Sequence, residues 1–423
     1  MDSLFVIKNG RIIDPANSKD EIGDVLVSGK TIKAVGRGLD APGAKTLDAK
    51  GLWVAPGLID LHAHFREPGQ EYKETIETGA RAAVAGGFTT VCVMPNTSPV
   101  VDSAEAVAMT IKKGKSLKLA KVLPIGAVTA GQKGLSLSSL REMAAAGACA
   151  FSEDGKSVAD SSLMKKALQV CAELNLPMMS HCEDALLAGR GVINQGEAAL
   201  RLSLEGISND SEEAIVARDL VLAASTGCHV HICHISTKTS AALLREAKAR
   251  GVRASGEATP HHLFLCDEDI LENDGKWKMN PPLRARQDML ALRQALACGD
   301  IDAVATDHAP HSKEEKSRGF QSAFGIIGLE TALALCLSEL EMSPMDLIDR
   351  LSAKPAKILG IKAGALTPGY PADITVIDPE ALWTVDPSKF QTLGRSTPFE
   401  GRTLKGVAKF TIIDGRVVRS HGD

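Results

Sequence analysis

A buried-strand run followed by a helical stretch recurs eight times through the middle of the chain, and short β-rich runs with hairpin turns occupy both ends. These two observations predict an α/β protein, a (β/α)8 TIM barrel with a small β-sandwich domain built from the N- and C-terminal segments. A third observation concerns the polar residues. Almost every His, Asp or Asn able to do chemistry stands at the C-terminal end of a predicted strand, the rim on which parallel barrels build their sites.

The N-terminal segment reads LFVIKNGRII, a turn, then DVLVSGKTIKAVG, with Asn9-Gly10 and Ser28-Gly29-Lys30 as hairpin signals. Barrel strands are predicted at 54–65, 88–96, 121–129, 147–154, 176–184, 228–236, 252–262 and 301–311. Helical patterns lie between them, as at 73–86, 136–147 and 161–175. The β-grammar returns at 372–379 and 407–418, with Asp414-Gly415 at the turn. Chain ends tend to lie close together, so the two β-rich ends should pair. The expected division is 1–54 and 361–423 for the terminal domain and 55–360 for the barrel.

The chain of 423 residues carries 48 Lys+Arg against 52 Asp+Glu, a net charge of −4. That balance lacks the basic excess a nucleic-acid binder needs, and no polybasic cluster suits an anionic membrane. Aromatics at 4% are too sparse for a base-stacking platform. No apolar stretch approaches the roughly 18–20 residues of a membrane span. The N-terminus MDSLFVIKNGRIIDP lacks the basic and apolar regions of a signal peptide. Nine cysteines is an odd count, and Cys92, Cys149 and Cys336 sit in apolar runs, as reduced thiols do. A cytoplasmic enzyme is expected.

Within Asp60-Leu61-His62-Ala63-His64-Phe65-Arg66, alternation puts Asp60, His62, His64 and Arg66 on one face. Two imidazoles so placed can grip one metal ion. Chance supplies about 0.3 such pairs in a chain of this composition, and a second pair, His229 and His231, does occur. The first is raised by its strand-end position, by Arg66 and by the turn Glu67-Pro68-Gly69. Other features take plain readings. Cys182 is a small core residue, Gly86-Gly87 a helix-to-strand turn without a phosphate-loop lysine, and 206–213 a turn and helix start.

The segments IDLHAHFREPG, VMPN (93–96), FSEDG (151–155), SHCED (180–184), CHIS (233–236), NPPLR (280–284) and ATDHAPHSKEEK (305–316) occur in that order. In these the chain resembles the dihydroorotases of the bacterial class I type, within the amidohydrolase superfamily, over essentially its whole length. The resemblance implies two zinc ions per subunit. His62, His64 and Asp307 would bind the first, His181 and His234 the second, and Asp154 would bridge them. Two such ions, about 3.5–4 Å apart, trap a hydroxide.

Hydantoinases and allantoinases bridge with a carboxylated lysine instead. Here Lys156 lies past the glycine, and it and Glu153 are the alternatives to Asp154. On the sixth strand alternation places His229 and His231 on one face and His234 on the other. Only the resemblance, together with the rim rule, selects His234. His229 and His231 are read as structural, and His261 and His262 have no assigned role.

The resemblance further makes Asp307 the general base and then acid. Arg66, Asn96 and His311, with His64 beside them, would anchor the substrate carboxylate. Asn280 would contact the substrate, and the backbone at Phe324-Gly325 would line its ring. Residues 311–325 read as an active-site loop. The implied reaction is reversible cyclisation of N-carbamoyl-L-aspartate to L-dihydroorotate in pyrimidine biosynthesis, without an organic cofactor. A homo-oligomer is expected, with aspartate transcarbamoylase as a candidate partner. The alternatives are a hydantoinase-, dihydropyrimidinase- or allantoinase-type amidase and a non-catalytic partner of aspartate transcarbamoylase.

Overall fold

A computed structural model of the protein describes residues 4–421. Five strands come first: β1 (Leu4–Asp14), β2 (Lys19–Ser28), β3 (Thr31–Gly36), β4 (Lys45–Asp48) and β5 (Trp53–Pro56). Then β6 (Leu58–Ala63), β7 (Phe88–Val93), β8 (Lys121–Ala127), β9 (Ala150–Ser152) and β10 (Met178–Ser180) begin the barrel. After a small two-stranded excursion, β11 (Ile193–Asn194) with β12 (Gly206–Ile207), the barrel continues through β13 (Val230–Ile232), β14 (Ala254–Ala258) and β15 (Ala303–Val304). The last strands are β16 (Ile374–Thr384), β17 (Thr403–Ile413) and β18 (Arg416–Ser420).

Neighbouring barrel strands pair in parallel in the order β6-β7-β8-β9-β10-β13-β14-β15. Residues of β6 and β7 are buried on both faces, as strands are when helices cover a parallel sheet. The covering helix Ile76–Ala85 shows how: Thr75 and Thr78 form its capping box, and Ile76, Ala80, Ala83 and Val84 are buried. The ring closes between its first and last strands through the bridge Ala63–His308 and through a side chain. Asp60 accepts hydrogen bonds from the Thr306 amide (2.9 Å) and hydroxyl (2.6 Å). Burial pushes its carboxyl up to about 7 despite these donors.

The two chain ends do pair: β16 runs antiparallel to β5, Ile374 opposite Pro56. The small β-domain is one continuous sheet, ordered β18-β17-β16-β5-β1-β2-β3 with β4 beside β1. It has its own core, including Ile7, Ile12, Val25, Val54, Ile374 and Ile412.

All eight predicted barrel strands are shorter than their runs, and four of the breaks fall at identifiable residues. The run 54–65 divides at Gly57, so that β5 serves the terminal sheet and β6 the barrel. A Cβ at Gly57 would lie 2.1 Å from Thr89 Oγ1, so the crossing needs glycine. The seventh strand stops at Ala258 because Pro260 starts a short helix, Pro260–Phe264, capped by Thr259. That helix carries His261 and His262. Just past the sixth and eighth strands, His234 (φ 32°) and Asp307 (φ 45°) take the left-handed conformation, so the extended run cannot continue through them.

All nine cysteines are free, and Cys182 is buried as expected. Among the described residues no helix is long and apolar enough to cross a membrane.

Glu330 accepts hydrogen bonds from the amides of Gln391 (2.8 Å) and Thr392 (3.1 Å), and burial pushes it up to about 7. The folded state therefore holds a proton that the unfolded chain releases, and this contribution to stability is lost as pH rises through the window from 4.5 to about 7. Glu330→Gln is expected to be near neutral at the acid end and stabilising above neutrality, by up to about 3 kcal/mol. Thermal melts of both proteins across this window check it; parallel pH profiles would contradict it.

Candidate metal centre

His62 points inward from β6 and is fully buried. Its Nδ1 lies 2.9 Å from Glu257 Oε1, while its Nε2 lies 3.2 Å from Asp154 Oδ1 and 3.5 Å from Asp307 Oδ1. His64, just past the strand, places Nε2 3.1 Å from Asp307 Oδ1 and 3.5 Å from Asp154 Oδ2. From the ends of the fifth and sixth strands of the ring, β10 and β13, His181 Nδ1 and His234 Nε2 face each other at 2.9 Å. They stand 3.5 and 3.8 Å from Asp154 Oδ1. The left-handed turn at His234 breaks the alternation that would have sent it to the opposite face from the cluster. Four imidazoles and two carboxylates thus converge at the C-terminal rim.

The donor set suits a divalent cation. Buried polar atoms in proteins are normally hydrogen-bonded, yet His62 Nε2 and Asp154 Oδ1 face one another without a hydrogen-bond partner. Within the cluster, His62, His64 and Asp307 form one group of ligand atoms lying within 4.8 Å of one another, and His62, Asp154 and His234 another. Imidazole nitrogen and carboxylate oxygen are zinc ligands. Burial alone would raise the Asp154 carboxyl, but the His62 imidazole first, and the nearby His181 and His234 imidazoles, hold it well below the usual range. Asp307 is held down in the same way by His62 and His64. For His64 burial wins, and its imidazole is pushed down. Both carboxylates are thus anionic and His64 neutral, the states in which these groups bind metal.

Asp154, rather than its neighbours, stands among the imidazoles. Glu153 accepts from the Thr129 amide (3.0 Å) and hydroxyl, and Lys156 Nζ donates to the Gln132 carbonyl (3.0 Å).

Beside the cluster lies a cleft of about 140 Å³, lined by His64, Arg66, Asn96, Asp154, His181, His234, Asn280, Asp307, Phe324 and Gly325 together with Gly155 and Ala309. Arg66 has a left-handed backbone (φ 57°), donates from Nε to the Pro310 carbonyl (3.2 Å) and places Nη2 3.2 Å from His311 Nε2. His311 also reaches the Phe324 carbonyl at 2.8 Å. Asn96 lies closer to the cluster than a substrate anchor need be: its Oδ1 is 2.9 Å from His64 Nδ1, and it donates to Asp154 Oδ2 (3.2 Å). Asn280 donates to Glu183 (2.8 Å), leaving its buried Oδ1 without a partner. Gly325 has φ 132°, and a Cβ there would meet the Ala309 carbonyl oxygen at 2.6 Å.

Residues 311–325 fold into a short helix, Lys313–Lys316, and a turn, Gly319–Gln321. They are held by Lys316 Nζ, which donates to the carbonyls of Lys278 (3.0 Å) and Ala323 (2.9 Å). His262 bonds the Pro281 carbonyl at 2.9 Å and so supports the segment carrying Asn280. Sequence patterning missed Glu257, whose only signal is an acid inside a buried strand. It also missed the buried pair His308–Glu74 (3.3 Å) beside Asp307.

A family model described as Dihydro-orotase-like matches residues 51–240. The chain is 45% identical to a dihydroorotase of Anaeromyxobacter dehalogenans, covering 100% of this chain and 99% of that one. It is 48% identical to a dihydroorotase of Pelotomaculum thermopropionicum over 98% of each. Among solved structures it is similar to the L-hydantoinase (dihydropyrimidinase) of Arthrobacter aurescens, with a TM-score of 0.90 at 25% identity, covering 100% of this chain and 97% of the other. A D-hydantoinase (dihydropyrimidinase) from Thermus sp. gives 0.86 at 28% identity, covering 99% and 96%.

Proposed function

Because the chain belongs to the dihydroorotase family and is a cyclic-amide hydrolase of amidohydrolase fold, we propose that it interconverts N-carbamoyl-L-aspartate and L-dihydroorotate, the ring-closing step of pyrimidine synthesis. The observation that carries this reading is the convergence of His62, His64, His181, His234, Asp154 and Asp307 beside a buried arginine. On this reading residues 55–360 form the catalytic unit, with 1–54 and 361–423 as its flank.

Two zinc ions fit the donors. His62, His64 and Asp307 would hold one, His181 and His234 the other, with Asp154 reaching both. Bound there, the pair would polarise the amide carbonyl and bring the pKa of water down to about 7.

The chain's own residues do the rest. Asp307, anionic and 3.1 Å from His64 Nε2, accepts a proton from the attacking water and hands it to the departing ring nitrogen. In the biosynthetic direction it takes the ureido nitrogen's proton and gives it to the leaving oxygen. Arg66 offers its planar fork to the ring carboxylate, held in place by Pro310 and beside His311. Asn96 would flank that carboxylate, Asn280 would contact the ring and the Phe324-Gly325 backbone would form its wall, all three lining the cleft, while His311 would join the anchor through Arg66.

A second reading, a hydantoin- or dihydropyrimidine-opening amidase, is favoured by the names of the structural neighbours. Those rings lack a carboxylate, so Arg66 distinguishes the two. Turnover of dihydroorotate should exceed that of hydantoin; faster hydantoin opening would overturn the proposal. Arg66→Ala is expected to raise KM for dihydroorotate ten- to a hundredfold, since each charge-assisted hydrogen bond contributes about 1.5–3 kcal/mol. Steady-state kinetics with an unchanged KM would count against the anchor.

A further inference from the structure

The second histidine pair, His229 and His231, has no place at the rim, yet it belongs to an unbroken line of side chains that ends on His62. His229 Nε2 lies 2.8 Å from Ser255 Oγ, and Ser255 Oγ lies 2.8 Å from His231 Nδ1. His231 Nε2 is 3.0 Å from Glu257 Oε2, and Glu257 Oε1 is 2.9 Å from His62 Nδ1. The barrel builds this line by register. His231 of β13 pairs with Ser255 of β14, and alternation puts Ser255 and Glu257 on one face. His231 and Glu257 are wholly buried. Glu257 Oε1 also accepts the backbone amide of His234 (3.4 Å). One carboxylate therefore touches a candidate ligand of each cation.

Hydrogen-bond chemistry fixes the protons along this line. An ionised carboxylate only accepts, so both imidazole nitrogens facing Glu257 carry a proton. His62 is thereby protonated on Nδ1, and its Nε2 is turned toward Asp154, 3.2 Å away. Protonated on Nε2, His231 presents Nδ1 to the Ser255 hydroxyl, which also meets His229 Nε2.

We propose that Glu257 is a positioning residue for the metal centre. It fixes the tautomer and ring orientation of His62 and steadies the turn that carries His234, while His231 and Ser255 hold Glu257 in place. The inference rests on the two-zinc reading above and gives that reading residues it did not use. Partners one step behind a ligand commonly change metal affinity about 10–100-fold when altered.

The test is zinc binding by the full-length, metal-stripped protein in competition with a chromophoric chelator, for wild type, Glu257→Gln and Ser255→Ala. Wild type failing to take up zinc would sink the two-zinc reading itself and the positioning role with it. With wild type binding, Glu257→Gln should bind zinc about 10–100-fold more weakly, and its kcat at saturating zinc should stay closer to wild type than its zinc affinity does. A purely structural role would lower Tm and leave zinc affinity untouched. A folded Glu257→Gln with wild-type affinity overturns the proposal. Should that variant fail to fold, Ser255→Ala decides: a severalfold loss of affinity supports the line, and unchanged affinity overturns it.

Discussion

Asp307→Ala should abolish turnover in both directions. The carboxylate stands 3.1 Å from His64 Nε2 and 3.5 Å from His62 Nε2, so on the proposed mechanism the substitution removes the proton carrier and a zinc donor together. General acid–base catalysis alone contributes about 10²–10⁴-fold, and the loss of a ligand adds to it. Asp307→Asn separates the two effects. It keeps the shape of the side chain but cannot take up the water's proton, so kcat should fall at least about 10²-fold while substrate still binds. Steady-state rates measured from dihydroorotate and from carbamoyl aspartate check this. Near-normal turnover of either variant would remove Asp307 from the proton path.

Asp154→Ala carries the second large effect, on metal content first and on rate as a consequence. Asp154 is the acid that stands within 3.8 Å of His62, His64, His181 and His234. Its loss leaves His181 and His234 as a pair of imidazoles without a carboxylate between them and the first group. Zinc content after dialysis should fall from two ions per chain to one or none, with kcat reduced at least about 10²-fold. Asp154→Ala retaining two ions would show that the bridge is formed elsewhere, with Glu153 and Lys156 as the side chains to examine next. Their partners here, Thr129 and Gln132, predict that substituting either leaves zinc content unchanged.

Much of the barrel was legible because a parallel strand covered on both sides must be apolar, and its chemistry must wait for the rim. That logic located His62, His64 and Asp307 without coordinates. It could not place His234, because alternation holds only while the backbone stays extended, and the left-handed residue at the end of β13 turns that side chain round. Nor did it find Glu257 or the ring-closing role of Asp60. Both are acids buried inside strands, and their roles depend on partners far along the chain, Thr306 for one and His62 with His231 for the other. The terminal sheet was predictable as a pairing of the two ends. The division of one apolar run between two sheets at Gly57 depended on Thr89, which nothing local reveals.

The most direct test of the dinuclear site is anomalous scattering at the zinc edge from crystals of the zinc-loaded protein. Two peaks are expected, one among His62, His64 and Asp307 and one between His181 and His234, with Asp154 reaching both. Peaks absent from this rim, or found only at His229 and His231, would contradict the account.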